Sequence, residues 1–252
     1  MQTKTPMVSA PTGTRIRAYL LDELIADSRD VLLVRESPVK IHYAFPEKDV
    51  AMRYLTKREK EPESPSKGRI RFYHLKVGEE TREKSAFAYP DQKEGRPDLR
   101  GYILFNWNVM DHWYEEEEEL FGHPRDPYTR IDVRASSRHV VVEAGGTVIA
   151  DTKQPRLLME TGLPVRYYIP NEDINWDYLV PSEKTTVCPY KGRSTYWSIQ
   201  VNGNAYRDTA WAYPEPLQDA ERVRDTVCFQ QENLTVYVDG EVEQTPSVYF
   251  LK

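Results

Sequence analysis

The chain has 252 residues, of which 39% are hydrophobic and 29% charged, a composition that supports a folded core and argues against disorder. Its net charge is −6 and its basic residues are scattered, which argues against nucleic acid as the main partner. The sequence has no apolar run of ~18 residues and no signal peptide at its start, so we expect a cytoplasmic protein without membrane contact.

The chain has two cysteines, Cys188 and Cys228, which are too few for a disulfide scaffold. Neither has the closely spaced Cys or His partners of a zinc site, so we predict two free thiols, no metal and no cofactor. The sequence also lacks the usual dinucleotide, phosphate-loop, zinc-protease and serine-hydrolase signatures.

An internal repeat emerges when the chain is aligned with itself at an offset of 124 residues, without gaps. Residues 15–105 and 139–229 are identical at 23 of 91 positions. Unrelated chains aligned at a fixed offset are expected to be identical at roughly 6% of positions. Solenoid units run to only about 20–50 residues, so this period indicates a duplicated domain. The matching segments include Ile25-Ala26-Asp27 with Ile149-Ala150-Asp151, Glu36 with Glu160, and Ala86–Pro90 with Ala210–Pro214.

The predicted boundary between the two copies follows Trp113. Glu115–Glu119 is a run of five acidic residues, which is typical of a solvated face or a linker, and Pro124 and Pro127 follow it. We therefore predict four segments, which are a polar N-terminal tail (1–14), a first domain (15–113), an acidic, proline-containing linker (114–137) and a second domain (138–252).

The second copy begins with two pairs of predicted strands. Gly145-Gly146 predicts a tight turn within the first pair, and Gly162 and Pro164 interrupt the second pair. A short helical turn is expected at Asn171-Glu172-Asp173. The four predicted strands are His139–Glu143, Thr147–Asp151, Arg156–Glu160 and Val165–Ile169.

The rest of the second copy continues the β pattern. Apolar and polar residues alternate from Thr195 to Val201, as in a strand with one apolar face, and Asn202-Gly203 is a strong hairpin signal. The elements predicted after this turn are a returning strand at Thr209–Tyr213, one or two helical turns at Leu217–Arg224, and a closing hairpin of Thr226–Gln230 with Leu234–Val238.

Each copy thus has about seven or eight short predicted strands separated by turn residues. The sequence predicts a mainly β protein of two similar small antiparallel domains with a few short helical turns. Either a barrel-like closure or two packed sheets, as in a sandwich or β-tent, fits this pattern.

The first candidate site is Thr185–Arg193, predicted as a loop before the next strand. Cys188, Tyr190, Lys191 and Arg193 place a thiol, a phenol and two cations within six positions, and a neighbouring cation favours the reactive thiolate. Cys188 is therefore the candidate catalytic residue. In the alternative interpretation, Cys188 is a small buried apolar residue and the two cations are solvated.

The first copy has Ser64-Pro65-Ser66-Lys67-Gly68-Arg69 at the corresponding positions. This segment keeps the turn and the basic pair but has neither the thiol nor the phenol. The difference favours a role for those two groups in one copy only.

The second candidate site is the segment Ala210–Pro216. On a strand, Trp211 and Tyr213 lie on one face and the small alanines on the other. The two rings could form a core layer, or they could form one wall of an aromatic cage for a planar or cationic ligand. The other rings available for such a cage are Trp176, Tyr178, Tyr190 and Trp197.

The third candidate is an acidic set that includes Glu160, Asp173 and Glu215, with Glu36 and Asp49 in the first copy. Paired carboxylates can perform acid–base chemistry. Alternatively, they occupy the surface, and Asp173 caps a helix N-terminus.

These motifs resemble the DUF427 family, small bacterial domains of unknown function. The resemblance is close over residues 139–240 and weaker over 15–113, where Ser64 and Ser66 stand in the cysteine motif and Phe87 in the tryptophan motif. The residues that carry it are Ile149–Thr152, Glu160-Thr161, Tyr167–Asp173, Cys188–Gly192 and Ala210–Pro216.

The resemblance implies a compact, mostly β domain of the β-tent type, a fold that includes small-ligand-binding and zinc-supported domains. This chain lacks the cysteine tetrad that would hold such a metal. A nucleotidyltransferase name has also been attached to the family, but the chain has no Gly-Ser followed by paired aspartates. The family name therefore implies no particular reaction.

The leading hypothesis is that the protein binds a small molecule in an aromatic and basic cleft, in the second domain or between the domains. The first domain would then be a degenerate copy. The alternatives are an enzyme that uses Cys188 as nucleophile or redox thiol, and a protein-interaction scaffold. The predicted ligand-binding residues are Tyr190, Lys191, Arg193, Trp211, Tyr213, Trp176, Glu160 and Asp173.

Overall fold

A computed structural model describes residues 7–37, 40–64, 68–91 and 93–243. The chain divides into two compact units, Met1–Asp126 and Pro127–Lys252. Within the described ranges, no helix has the length and apolar character needed to cross a membrane. Parts of three sequence predictions fall outside these ranges, namely positions 1–6 of the tail, Pro65-Ser66-Lys67 of the first copy's turn, and positions 244–252 of the second domain.

The described part of the first unit contains thirteen strands. They are β1 (Val8–Pro11), β2 (Ile16–Leu20), β3 (Glu23–Ser28), β4 (Leu32–Ser37), β5 (Lys40–Pro46), β6 (Leu55–Lys57), β7 (Glu63–Ser64), β8 (Gly68–Arg69), β9 (Arg71–Val77), β10 (Glu80–Ala88), β11 (Tyr102–Phe105), β12 (His112–Glu115) and β13 (Glu118–Leu120). The larger sheet has the order β1-β4-β5-β11-β10-β9-β6, the smaller sheet has the order β13-β12-β2-β3, and β7 pairs with β8.

The described part of the second unit contains eleven strands. They are β14 (Ile131–Ala135), β15 (Val140–Ala144), β16 (Thr147–Thr152), β17 (Arg156–Glu160), β18 (Arg166–Pro170), β19 (Leu179–Cys188), β20 (Gly192–Val201), β21 (Asn204–Ala212), β22 (Thr226–Phe229), β23 (Thr235–Val238) and β24 (Glu241–Val242). The larger sheet has the order β14-β17-β18-β22-β21-β20-β19 and the smaller sheet has the order β16-β15-β23-β24.

Short 3₁₀ helices supply the helical content that the sequence predicts. Within the described residues they are Glu47–Asp49, Met52–Tyr54, Trp107–Val109, Asn171–Asp173, Trp176–Tyr178 and Gln218–Val223.

The two units have the same architecture, as the repeat predicts. The orders of their larger sheets correspond strand for strand, and β10 and β21 lie 124 positions apart at both ends. The mainly antiparallel β fold is therefore confirmed. Of the two predicted arrangements, the structure has open sheets packed on a shared core, and among the described strands no sheet closes into a barrel. The strands are also more numerous than the seven or eight predicted in each copy.

The central strands of each larger sheet are buried on both faces, which is possible because side chains alternate along a strand. In β18, Tyr167 and Ile169 contribute to the core shared with the smaller sheet, whereas Tyr168 lies in a second apolar cluster on the outer face. Ala220 and Val223 of the last 3₁₀ helix belong to that outer cluster. The outer face is therefore a second core, and it is where the candidate site lies.

The predicted linker, residues 114–137, instead contains secondary structure. The acidic run forms the β12–β13 hairpin, in which Glu116 adopts the left-handed φ of +48°, and β14 starts at Ile131. Positions 8–11 of the predicted tail form the edge strand β1. A run of like charges normally indicates a solvated segment, but here two of the carboxylates have hydrogen-bond partners elsewhere in the unit, and the sequence does not reveal these partners. The Arg15 backbone N–H donates to Glu116 at 2.9 Å, and the Arg17 guanidinium donates to Glu117 at 3.0 Å.

The predicted closing hairpin of the second copy is wrong. The strand at Thr226–Phe229 lies between β18 and β21 in the larger sheet, whereas the strand at Thr235–Val238 pairs with β15 in the smaller sheet. Both segments are short and apolar, and such a pattern identifies a strand without identifying its partner. The chain instead crosses from one sheet to the other between them.

The acidic hairpin gives a prediction about pH. His112 Nδ1 lies 2.5 Å from Glu119 Oε1, and this hydrogen bond raises the pKa of His112 above its ordinary value of about 6.5. Because the pKa of His112 is raised in the folded protein, the stabilisation by this contact is complete at pH values below the pKa of His112 in the unfolded chain. The stabilisation is lost as the pH rises through the pKa of His112 in the folded protein. We expect an NMR titration of the His112 ring to show the raised pKa, and Glu119→Gln to return it toward 6.5. Glu118→Gln on the same hairpin is the control, and a His112 pKa unaffected by Glu119→Gln would contradict the assignment.

Candidate functional site

The segment predicted as a loop, Thr185–Arg193, is the tip of a β-hairpin. Cys188 ends β19 and pairs with Gly192 at the start of β20, so only three residues form the turn. Gly192 has a φ of +102°, and a Cβ there would lie 2.9 Å from the carbonyl oxygen of Glu215. The Leu217 N–H donates to the Lys191 carbonyl at 3.1 Å. The hairpin tip therefore packs against the segment that follows β21, and this position requires glycine.

The turn carries Lys191 into the interior, where its ammonium donates to Glu160 at the end of β17. The two side chains are only 10% and 9% exposed. A buried charge is very costly unless it is paired, so each of these groups depends on the other. The ion pair joins the β19–β20 hairpin tip, at one edge of the larger sheet, to β17, which lies next to the edge strand at the other end of the strand order.

Aromatic side chains surround this ion pair on the outer face. As predicted, Trp211 and Tyr213 lie on this face, while Ala210 and Ala212 contribute to the inner core. The Trp211 indole N–H donates to the Tyr168 hydroxyl at 3.3 Å, and the rings of Trp211 and Tyr196 have centroids 6.4 Å apart. The rings therefore form a continuous apolar surface beside the charged pair.

A cavity of about 230 Å³ opens between the rings and the ion pair. The hairpin tip, β17, β18 and the β20–β21 strands all contribute to its walls. Its lining residues are Leu158, Glu160, Leu163, Pro164, Arg166, Tyr168, Lys191, Tyr196, Trp211 and Tyr213. The structure thus brings together four of the residues singled out from the sequence, which are Glu160, Lys191, Trp211 and Tyr213.

Burial controls the protonation of the phenols in this cavity. It raises the pKa of Tyr213 and of Tyr168 well above the ordinary value of about 10. A phenol is already protonated at neutral pH, and the raised pKa keeps both hydroxyls protonated, and able to donate a hydrogen bond, into the alkaline range as well.

Arg166 is a pocket residue that the sequence reasoning missed. Its guanidinium carbon lies 5.8 Å from the centroid of the Trp211 ring, within the range of a cation–π contact. The guanidinium donates to Glu232 at 2.7 and 3.0 Å and to Gln231 at 3.1 Å. The available signal was strand alternation, because Arg166 is two positions from Tyr168 and therefore shares its face. The sequence reasoning also missed Tyr168 and Tyr196 as pocket residues, although strand alternation was the available signal for them too.

Other predicted ligand-binding residues lie away from the cavity walls. Tyr190 is buried in the hairpin turn without lining the cavity, and Arg193 is exposed. Trp176 is 39% exposed, donates its indole N–H to the Asn171 carbonyl at 2.9 Å and contacts Trp197 edge to face. Trp197 packs against the inner core, so the structure does not assemble these rings and Trp211 into one cage.

Asp173 lies at a separate surface groove with Asp151, Lys153 and Gln154. Its carboxylate accepts a hydrogen bond from the Thr152 hydroxyl at 2.6 Å, and it ends the 3₁₀ helix instead of capping its start. In the first copy, the Ser28 hydroxyl donates to Asp49 at 2.7 Å in the same way. An arrangement present in both copies is consistent with a structural role.

The two cysteines differ in environment. Cys188 is half-buried at the hairpin tip and packs against the outer cluster, but it does not line the cavity. Cys228 is buried within that cluster, and burial raises its pKa to about 12. Among the described residues, no group of three His, Cys, Asp or Glu side chains could hold a metal ion.

The first copy arranges the corresponding positions differently. Glu36 accepts a hydrogen bond from the Tyr89 hydroxyl at 2.5 Å and pairs with Lys40 at 2.8 Å. The counterpart of Lys191 is Lys67, which lies outside the described residues. At four other positions the side chains are shorter or less polar, namely His42 for Arg166, Ala44 for Tyr168, Phe72 for Tyr196 and Phe87 for Trp211.

Comparison with known proteins identifies one family. The model of a family described as "Domain of unknown function (DUF427)" matches residues 9–116 and, a second time, residues 132–243. None of the curated proteins compared with the chain matches it.

The ion pair beneath the cavity can be tested by a double-mutant cycle. Glu160→Gln leaves the Lys191 ammonium buried without a counter-charge, and we expect it to lower the free energy of unfolding by about 3–5 kcal/mol. Lys191→Met should also destabilise the protein, because it strands the carboxylate. The double variant removes both charges and should be more stable than Glu160→Gln alone. Urea unfolding of the full chain measures this. Costs that simply add in the double variant would show that the two groups are not coupled.

Proposed function

The chain belongs to the DUF427 family, as two copies of its domain in tandem, and we propose that its second copy binds a small molecule in the cavity beside Trp211 and Lys191. The observation that carries the proposal is the combination of aromatic walls with a few convergent polar groups in one concave site. Binding sites for small molecules typically have this composition.

The cavity's size limits the ligand. Sites for drug-sized ligands typically measure roughly 300–1,000 Å³, and this cavity measures about 230 Å³. A single ring or a fused pair of rings with a small polar substituent suits such a volume better than an intact nucleotide. The ring of the ligand would lie against Trp211 and Tyr196, and its polar substituent would meet the charged side of the cavity.

The differences between the copies support binding by the second copy. Tyr168, Tyr196 and Trp211 line the cavity and carry hydroxyl and indole N–H groups, whereas the first copy has Ala44 and Phe72 at two of these positions and Phe87 at the third. Both copies keep the strands that position these residues. The first copy therefore retains the fold, and it keeps Glu36 and Tyr89 at the positions of Glu160 and Tyr213, but it lacks the polar groups of these three residues.

Equivalent substitutions in the two copies test this proposal. We expect Trp211→Ala to abolish binding of any compound that raises the melting temperature of the wild-type chain in a metabolite panel. A compound at 100 times its Kd adds about 2.7 kcal/mol of stability, which is readily detected. Phe87→Ala, the matched change in the first copy, should lower stability but leave the ligand-induced shift in place.

Two outcomes would oppose the proposal. Equal loss of the ligand-induced shift in Trp211→Ala and Phe87→Ala would remove the distinction between the copies. A shift that persists in Trp211→Ala would place the ligand elsewhere. Trp211→Phe, which keeps a ring and introduces the first copy's residue, separates loss of binding from loss of folding.

A thiol-dependent reaction is the second candidate function, because Cys188 is partly exposed and lies on the hairpin that carries Lys191. Alkylation of the native protein near neutral pH distinguishes the two functions. Since burial raises the pKa of Cys228 to about 12, we expect Cys228 to react only after unfolding. The binding proposal expects Cys188 to react no faster than an ordinary exposed thiol. Alkylation of Cys188 well above that rate, assigned with Cys188→Ser and Cys228→Ser, would favour the enzyme.

A further inference from the structure

We infer that the ligand of this cavity is a small aromatic or heteroaromatic carboxylate, whose carboxylate Arg166 binds while its ring packs on Trp211. The inference rests on the proposed binding function and specifies its chemistry. It depends on three features of the cavity, namely its charge, the geometry of Arg166 and the position of the rings.

The first feature is an excess of positive charge. Three of the lining residues are charged, namely Glu160, Lys191 and Arg166. Lys191 and Glu160 neutralise each other as a buried pair, so the positive charge of Arg166 is in excess. Its partner Glu232 does not line the cavity and is 38% exposed, so solvent partly screens that pairing. A cavity with this balance favours an anionic ligand over a neutral or cationic one.

The second feature is the hydrogen-bonding capacity of Arg166. A guanidinium has five N–H donors in a planar arrangement that matches a carboxylate. Among the described residues, Glu232 and Gln231 accept three hydrogen bonds from Arg166. Two donors remain for a ligand, and hydrogen bonds between charged partners are roughly twice as strong as neutral ones.

The third feature is the aromatic surface next to this cation. The Arg166 guanidinium lies over the Trp211 ring, and the Tyr196 ring, which also lines the cavity, is tilted by 35° to the Trp211 ring. The Tyr196 hydroxyl is held by Thr186 at 3.0 Å, and Thr186 in turn contacts Ser194 at 2.7 Å. Because Arg166 lines the same cavity, a flat ring placed against these two side chains lies close to the guanidinium, which favours a carboxylate on that ring.

Three probes of the same shape and different charge test the inference. They are 2-naphthoate, 2-naphthamide and 2-naphthylmethylamine, each titrated into the ¹⁵N-labelled full chain while the indole N–H signals are followed by NMR. The chain has five tryptophans, and the signal that is absent in Trp211→Phe belongs to Trp211. We expect 2-naphthoate to shift that signal saturably, with the amide at least about tenfold weaker and the amine weaker still.

Substitutions at Arg166 and at its partner complete the test. We expect Arg166→Gln to lose the preference for carboxylate over amide. Arg166→Lys should keep only part of the preference, because it retains the charge without the planar fork. Glu232→Gln should tighten 2-naphthoate binding, because it removes the anion that competes for Arg166.

The outcomes separate this inference from the binding function on which it rests. If the amide or the amine shifts the Trp211 signal as strongly as the carboxylate, the cavity binds small molecules and the carboxylate inference is overturned. The same holds if the preference survives Arg166→Gln, or if only non-carboxylate compounds from the metabolite panel bind through Trp211. If neither the three probes nor any panel compound affects Trp211, both the inference and the binding function are overturned.

Discussion

The buried ion pair between Lys191 and Glu160 is the interaction on which the candidate site depends. Neither charge could remain in an apolar layer alone, so the pair fixes the hairpin tip that carries Lys191 against the strand that carries Glu160. Gly192 makes this approach possible, since a side chain there would collide with the Glu215 carbonyl. The cavity lies directly beside the pair, and its shape follows from the way these segments are held together.

The larger sheet of the second unit supports the site because its central strands are buried on both faces. Small residues such as Ala210 face the smaller sheet, while Trp211 and Tyr168 face outward into a second apolar cluster. The same division exists in the first unit, where Phe87 and Ala44 occupy the outer face. Duplication therefore preserved two complete cores, and the copies diverged in the polar groups of one face. Such divergence leaves the fold intact in both units.

Strand alternation explains how much of the site could be predicted. Period-two spacing alone places Trp211 and Tyr213 on one face, and both lie in the outer apolar cluster of the structure. The same rule would have placed Arg166 beside Tyr168, but an arginine in a strand resembles an ordinary solvated residue unless its neighbours are known. Residue type and proximity in sequence also indicate Trp176 and Arg193, yet both are exposed and lie outside the cavity walls. Residue type identifies candidates, whereas burial decides which of them can meet.

The sequence by itself determined the duplication, the mainly β class, the Asn202-Gly203 hairpin and the opposite faces of β21, because these follow from local turn chemistry and from the spacing of residues along the chain. Only the tertiary structure decided that the sheets stay open, that the acidic run is a hairpin, and that β22 and β23 belong to different sheets. It also brought Arg166, Lys191 and Trp211 into one cavity. These outcomes depend on pairings between segments distant in sequence, and such pairings are selected by burial of whole faces and by compensation of buried charge.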